Sequence, residues 1–192
     1  MELMDWFAKG LSPQNYNEAM QVNKEEMNKI YYRFSLSDEE KTRLADLKDA
    51  GMKVIALTED WCGDAMLNNP ILLKIAEESG MEVRFILRDQ NLELMDQYLT
   101  NGTSRAIPIY IFIDEAGKEK AVWGPRAKQV QEMVDDERSK LPEQDAGDFK
   151  EKQMSMYRRL TASYQEDSKI WHFVADSIID SIVSENKGGR VF

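Results

Sequence analysis

The chain has 192 residues, of which 42% are hydrophobic and 31% are charged. This length and composition are typical of one globular domain with extensions. A net charge of -10 disfavours binding to nucleic-acid phosphates and to anionic membrane surfaces. The single cysteine excludes a framework of internal disulfides.

Targeting signals are not evident in the sequence. The N-terminus, "MELMDWFAKG", lacks a basic start followed by an apolar run, so we expect no signal peptide. The longest apolar runs, such as "IPIYIFI", are far shorter than the roughly 20 residues that span a bilayer. We therefore expect a cytoplasmic protein that does not associate with membranes.

Residues 1–50 carry helical patterns. Ser12, followed by a proline, is typical of a helix start, because the hydroxyl caps the first amides and proline suits the first turn. Ser37 and Glu40 form a predicted capping box. The helix that they start is predicted to end at Gly51, which suits a left-handed C-terminal cap.

The pattern changes to alternating strands and helices over residues 51–140. Strands are predicted at "KVIALT", "EVRFILRD", "IPIYIFID" and "KEKAVW", and helices at "NNPILLKIAEESG", "LELMDQYLTNG" and "AKQVQEMVDDERSKL". The last two strands flank "EAG", which is typical of an antiparallel hairpin. This order predicts an α/β fold with a mixed β-sheet flanked by helices.

Residues 141–192 begin with the polar linker "PEQDAGD" and continue as two helical patterns. Their apolar stripes predict faces that cover the core or contact a partner protein or a second copy of the chain. The sequence therefore predicts a helical N-terminal extension (1–50), an α/β domain (51–140) and a helical C-terminal extension (141–192). The apolar stripes consist of Met156, Leu160 and Tyr164, and of Trp171, Val174, Ile178 and Ile182.

The only cysteine, Cys62, lies in "EDWCGDAML" at a predicted strand-to-helix junction. Free amides and the helix dipole at such a position lower the pKa of a thiol. Glu59, Asp60 and Asp64 oppose this, since negative charges disfavour a thiolate. We expect the helix terminus to prevail, which predicts a partly accessible thiol with a pKa below the usual value of about 8.5. The alternative is an inert buried cysteine.

Several segments resemble the thioredoxin family. "DWCGDAMLNNPILLKIAEE" resembles its active-site helix, including Pro70, which is expected to kink the helix. "RDQN" resembles the end of its central strand, and "SRAIPIYIFIDEAGKE" resembles its cis-proline strand and hairpin. Gly124 stands where the next strand of the family has a glycine. The resemblance covers roughly residues 50–137, and helical lead-ins are known among larger bacterial thioredoxin-like proteins.

The resemblance implies a thioredoxin-like fold in which a cis bond places Pro108 against Cys62. The chain departs from the family at three positions. Ala65 replaces the resolving cysteine, Asp64 replaces the usual proline, and Ala56 stands where a buried acid assists proton transfer. A dithiol cycle is therefore excluded for this sequence, whereas chemistry that needs one thiolate is not.

The resemblance also implies a set of site residues. No metal site is expected, because one cysteine and one histidine, His172, cannot supply the ligands of zinc. No cofactor is expected, apart from a small thiol as a co-substrate. The candidate site residues are Cys62 as catalytic nucleophile, Trp61, Gly63, Ile107 and Pro108 as substrate-positioning residues, and Arg105 as a partner for the carboxylate of a small thiol.

We therefore predict a redox protein that acts by a one-cysteine mechanism. Cys62 would attack a disulfide-containing protein or a small-thiol mixed disulfide, and an external small thiol would release the product. Two alternatives stay open. One is a thioredoxin-like binding or adaptor module that does not catalyse, and the other is a dithiol thioredoxin in which the resolving cysteine was replaced by Ala65.

Overall fold

The computed structural model describes residues 1–48 and 50–186. The strands of this part are β1 (Lys53–Thr58), β2 (Glu82–Leu87), β3 (Ile109–Ile113) and β4 (Glu119–Trp123). The helices are α1 (Leu3–Lys9), α2 (Pro13–Ala19), α3 (Lys24–Arg33), α4 (Asp38–Leu44), α5 (Gly63–Ser79), α6 (Leu92–Met95), α7 (Lys128–Ser139), α8 (Phe149–Glu166) and α9 (Ser168–Asn186). The predicted α/β class is confirmed.

The four strands form one mixed sheet in the order β2-β1-β3-β4. The β1 and β2 strands are parallel because α5 crosses between them, and β3 and β4 form the predicted antiparallel hairpin. The strand β2, expected at the centre, is an outer strand of this sheet. Its free edge receives a single antiparallel bridge, from Leu11 to Phe85.

Local signals in the sequence correctly located several helix ends. The hydroxyl of Ser12 caps α2, and Ser37 and Glu40 form the predicted capping box of α4. Pro70 lies within α5, and this helix ends at Gly80, which has a φ of 73°. Such signals work because each depends on hydrogen bonds within one helical turn.

Two predicted helices are shorter than expected. The helix that starts at Ser37 ends at Leu44 and continues only as a 3₁₀ turn (Ala45–Leu47), so Gly51 does not cap it, although its φ is 61°. The segment "LELMDQYLTNG" forms a single helical turn, α6. Beyond that turn Asn101 has a positive φ, and Thr100 pairs with Ser104 in an isolated bridge. The chain must turn here to reach β3.

Both terminal segments pack on the α/β core. Helix α3 packs on α5, and α9 packs on α5 and β4. The indole nitrogen of Trp123, in β4, donates a hydrogen bond to the Ser177 hydroxyl of α9 at 2.9 Å. The predicted apolar stripes of α8 and α9 are buried in the same cluster as the sheet. Helices long and apolar enough to cross a membrane are absent from the described residues.

Candidate active site around Cys62

Cys62 lies directly before α5, in the short connection that follows β1. It is the N-cap residue of the helix, and its Sγ lies 3.5 Å from the amide nitrogen of Ala65, which donates to it. On its other side the thiol donates to the carbonyl oxygen of Ile107 at 3.5 Å. The sulfur is therefore held between the helix terminus and the segment that leads into β3.

The predicted cis bond between Ile107 and Pro108 is confirmed. Pro108 is buried directly before β3, and the preceding carbonyl contacts Cys62, so the proline and the thiol belong to the same site. Gly124, singled out in the sequence, lies behind this proline. A Cβ atom at Gly124 would lie only 2.2 Å from the carbonyl oxygen of Pro108, which explains the need for glycine. A second cis bond, between Gly124 and Pro125, was not predicted.

The predicted accessibility and acidity of the thiol are wrong. Cys62 is only 9% exposed. Burial, with a smaller contribution from the charge of Asp64, raises the pKa of Cys62 to about 11. The amides of Ala65 and Asp64 and the cation of Arg126 oppose this shift. Desolvation therefore outweighs the helix terminus, and the resting thiol is protonated.

Asp64 occupies the first turn of α5 and is held by two distant residues. Its carboxylate pairs with the Arg126 guanidinium at 2.6 Å and accepts a hydrogen bond from the Tyr164 hydroxyl at 3.2 Å. Close by, a Cβ atom at Gly63 would lie 3.0 Å from the side-chain methyl group of Thr161. Both Thr161 and Tyr164 belong to α8, so this helix covers the first turn of α5.

The N-terminal segment binds the other side of the site through Asp60. The Asp60 carboxylate accepts hydrogen bonds from the amides of Gln21 at 2.7 Å and Val22 at 3.1 Å. Asn23 donates its side-chain amide to the Asp60 carbonyl at 2.9 Å. The loop between α2 and α3 therefore fixes the chain two residues before the thiol.

Trp61 and two arginines form the exposed part of the site. Trp61 is 49% exposed, and the Arg88 guanidinium lies over its ring at 4.9 Å from the centroid. Arg88 also donates to the carbonyl oxygen of Arg105 at 2.9 Å. The Arg105 guanidinium itself binds the carboxylate of Asp96 through two hydrogen bonds of 2.6 and 2.9 Å. A ligand carboxylate would compete with Asp96 for Arg105.

Behind the thiol lies a buried row of neutral polar groups. Tyr110 donates to Asn69 at 2.8 Å, Asn69 donates to Thr58 at 3.0 Å, and Tyr16 lies 3.4 Å from the Thr58 hydroxyl. Burial raises the pKa of Tyr16 to about 12 and also raises that of Tyr110 well above its usual value. Ala56, opposite Tyr110 in the sheet, contributes no carboxyl group. These hydroxyls therefore stay protonated at neutral pH.

Among the described residues, the surroundings of Cys62 contain neither a metal site nor a Cys-His pair. The described part of the chain contains no group of three or more His, Cys, Asp or Glu side chains that could hold a metal ion. His172 lies on α9, where its Nδ1 is 2.7 Å from the Glu40 carboxylate of α4. The fold thus brings Cys62 together with Trp61, Gly63, Ile107 and Pro108, and Cys62 is a free thiol.

Comparisons with known proteins agree with this geometry. A family model described as thioredoxin matches residues 10–138, which extends the resemblance into the N-terminal helices. A protein of unknown function from Pseudomonas aeruginosa has a similar crystal structure, with a TM-score of 0.69, 14% identity and coverage of 98% of both chains. The crystal structure of an HIV epitope-scaffold is similar as well, with a TM-score of 0.68 and 14% identity, over 99% of this chain and 100% of that one. A comparison with curated proteins gives no match.

Proposed function

The chain belongs to the thioredoxin family, and we propose that it is a thiol-disulfide redox protein that acts through Cys62 alone. The observation that carries the proposal is the position of the sulfur. It lies at the N-terminus of α5, 3.5 Å from a free amide, and it touches the carbonyl that precedes Pro108. A thiolate and an incoming sulfur would both be stabilised and oriented at this point.

The reaction begins when the Cys62 thiolate attacks one sulfur of a mixed disulfide between a protein and a small thiol. A bond forms between Cys62 and the small thiol's sulfur, and the protein cysteine leaves as a thiolate. A second small-thiol molecule then attacks the adduct, which yields the oxidised small-thiol disulfide and restores Cys62. Each turnover consumes one free small-thiol molecule, and the other half of the product disulfide is the group that Cys62 removed from the substrate, so a second cysteine in the chain is unnecessary.

The raised pKa of Cys62 limits the rate of the first step. With a pKa of about 11, only a small fraction of Cys62 is thiolate at neutral pH. The first step should therefore be slow in the free protein and should accelerate as the pH rises. Trp61 lies beside the thiol with half its surface exposed and supplies an apolar contact for a protein substrate.

A second candidate function is a thioredoxin-like binding module that does not catalyse. The burial of Cys62 favours it, since a protonated and poorly accessible thiol is the state expected of a structural cysteine. The same core also buries the terminal helices, which present additional surface to a partner.

One assay separates the two functions. The substrate is a peptide whose cysteine carries glutathione, and free glutathione is the reductant. We expect release of the peptide thiol in proportion to protein concentration, a rate that depends on glutathione, and complete loss with Cys62→Ser. A trapped Cys62–glutathione adduct should appear by intact mass at low glutathione.

The control is Phe173→Ala, a change at a partly exposed side chain of α9 that the mechanism does not use. It should leave the rate unchanged. Turnover that persists in Cys62→Ser, or the absence of both turnover and adduct in the unmodified chain at pH 9, would refute the redox proposal and favour the binding module.

A further inference from the structure

The pair formed by Asp64 and Arg126 is the main charged feature beside the thiol. Their side chains meet at 2.6 Å and are both largely buried. Asp64 is two residues from Cys62 in the first turn of α5, and Arg126 follows the loop whose glycine backs Pro108. The two charges thus come from different segments of the fold, and both affect the pKa of the Cys62 thiol.

Arg126 is not fully used by its neighbours. One terminal nitrogen donates to Gln131 at 2.8 Å, and the other pairs with Asp64. Its Nε is buried and has no hydrogen-bond partner among the described residues. Guanidinium groups are charged at every pH at which proteins fold, so Arg126 would pair with another anion only if Asp64 released it.

The other ionisable groups near the sulfur cannot substitute for this pair. Tyr16 of α2 and Tyr110 of β3 are held neutral by burial. Asp60 is bound by two backbone amides, and Glu59 accepts a hydrogen bond from the amide of Asp89 at 2.8 Å. From α8, Tyr164 contributes a hydroxyl that is directed at Asp64.

We propose that Asp64 and Arg126 are positioning residues for Cys62, because the ion pair with Asp64 holds the Arg126 guanidinium and keeps it from turning towards the sulfur. Tyr164 helps to hold the carboxylate in place. When Asp64 is neutralised or withdrawn, Arg126 is free to approach the sulfur. The inference concerns the regulation of the thiol on which the proposed function rests.

The test is the pH profile of Cys62 alkylation by iodoacetamide, in which the thiolate displaces iodide from carbon. Asp64→Asn keeps the shape of the side chain and its hydrogen bond to Tyr164 but removes the charge. We expect its midpoint to lie at least one pH unit below that of the natural chain, which is about tenfold in rate at pH 7.5. An unshifted midpoint would overturn the proposal.

A second set of variants isolates the role of Arg126. Purely additive charges would give Asp64→Asn the same gain whether or not Arg126 is present. The proposal requires the increase in alkylation rate caused by Asp64→Asn to be at least threefold smaller in an Arg126→Gln background. The increase should persist in an Arg126→Lys background, which keeps the charge. Equal gains in the natural and Arg126→Gln backgrounds would refute the freed-cation account.

Folding and turnover can be kept apart from this result. If Arg126→Gln alone fails to fold because it leaves Asp64 unpaired, the neutral double variant and Arg126→Lys still supply the comparison. Alkylation requires no disulfide substrate. A lower alkylation midpoint in Asp64→Asn, in a chain that does not turn over the mixed disulfide, would therefore uphold this inference and refute the redox function. Turnover of the mixed disulfide with an unshifted midpoint would uphold the redox function and refute this inference.

Discussion

Substitution of Gly124 by alanine should damage the fold at the point where it supports the active site. The new Cβ would lie 2.2 Å from the Pro108 carbonyl oxygen and 3.2 Å from Ile109, in a backbone with a φ of 129° that side chains rarely adopt. The backbone conformation costs on the order of 1–3 kcal/mol, and overpacking against a rigid carbonyl costs about 1–3 kcal/mol more. We expect Gly124→Ala to lower the free energy of unfolding by about 4 kcal/mol.

Gly102→Ala is the matched control. Gly102 also has a positive φ, 70°, but an added Cβ there meets no atom within 4 Å. It should lose only about 1 kcal/mol from the left-handed backbone. Urea unfolding followed by tryptophan fluorescence gives both values, and the loss of unfolded-chain entropy is the same for the two changes. If the two variants differ by less than 1 kcal/mol, the contact with Pro108 is not what requires glycine.

Three other predictions follow from the site and its surroundings. Because burial raises the pKa of Cys62 to about 11, the folded thiol holds its proton more tightly than the unfolded one, and this contribution to the free energy of unfolding is complete below about pH 9 and lost towards pH 11. In urea titrations over that range, the natural chain should lose up to about 3 kcal/mol of unfolding free energy relative to Cys62→Ser. A difference between the two proteins that stays constant with pH would contradict this. Ala65→Cys places a second thiol in the turn whose amide lies 3.5 Å from the Cys62 Sγ. The rate of insulin reduction should rise at least about tenfold, because intramolecular attack gains from a high effective concentration. An unchanged rate would show that a thiol at position 65 does not attack the Cys62 adduct. Ile178→Ala should lower the free energy of unfolding by about 2–5 kcal/mol, because Ile178 is fully buried. Met154→Ala, at a side chain that is 56% exposed, should lower it by less than about 0.5 kcal/mol. Equal losses in urea unfolding would show that α9 is not part of the core.

The sequence was informative where a feature depends on adjacent residues. Capping residues such as Ser37 and Glu40, the end of α5 at the glycine of "EESG" and the apolar strands were all predicted from patterns within a few residues. The resemblance to thioredoxin added the cis bond at Pro108, which composition alone does not reveal.

The charge environment of the thiol could not be predicted in the same way. It depends on Arg126 and Tyr164, and the latter is 100 residues from Asp64 along the chain. No periodicity or spacing connects such positions. The expectation that the helix terminus would prevail over the alternative of a buried cysteine is wrong, because the extent of burial is determined only by the packed chain. The length of α6 was overestimated for a similar reason, since the loop that follows is set by where β3 must begin.

The two carboxylates on either side of Cys62 connect the terminal segments to the site. Asp60 is bound by the loop between α2 and α3, and Asp64 is bound by Arg126 and by Tyr164 of α8. In the sequence both appear as like charges that oppose a thiolate, and in the fold the charge of Asp64 contributes, after burial, to the raised pKa of Cys62. Release of Asp60 requires movement of the loop between α2 and α3, whereas release of Asp64 requires movement of both α8 and the loop before α7. Movement of α8 alone would remove Tyr164 from Asp64 but would leave the ion pair with Arg126 in place.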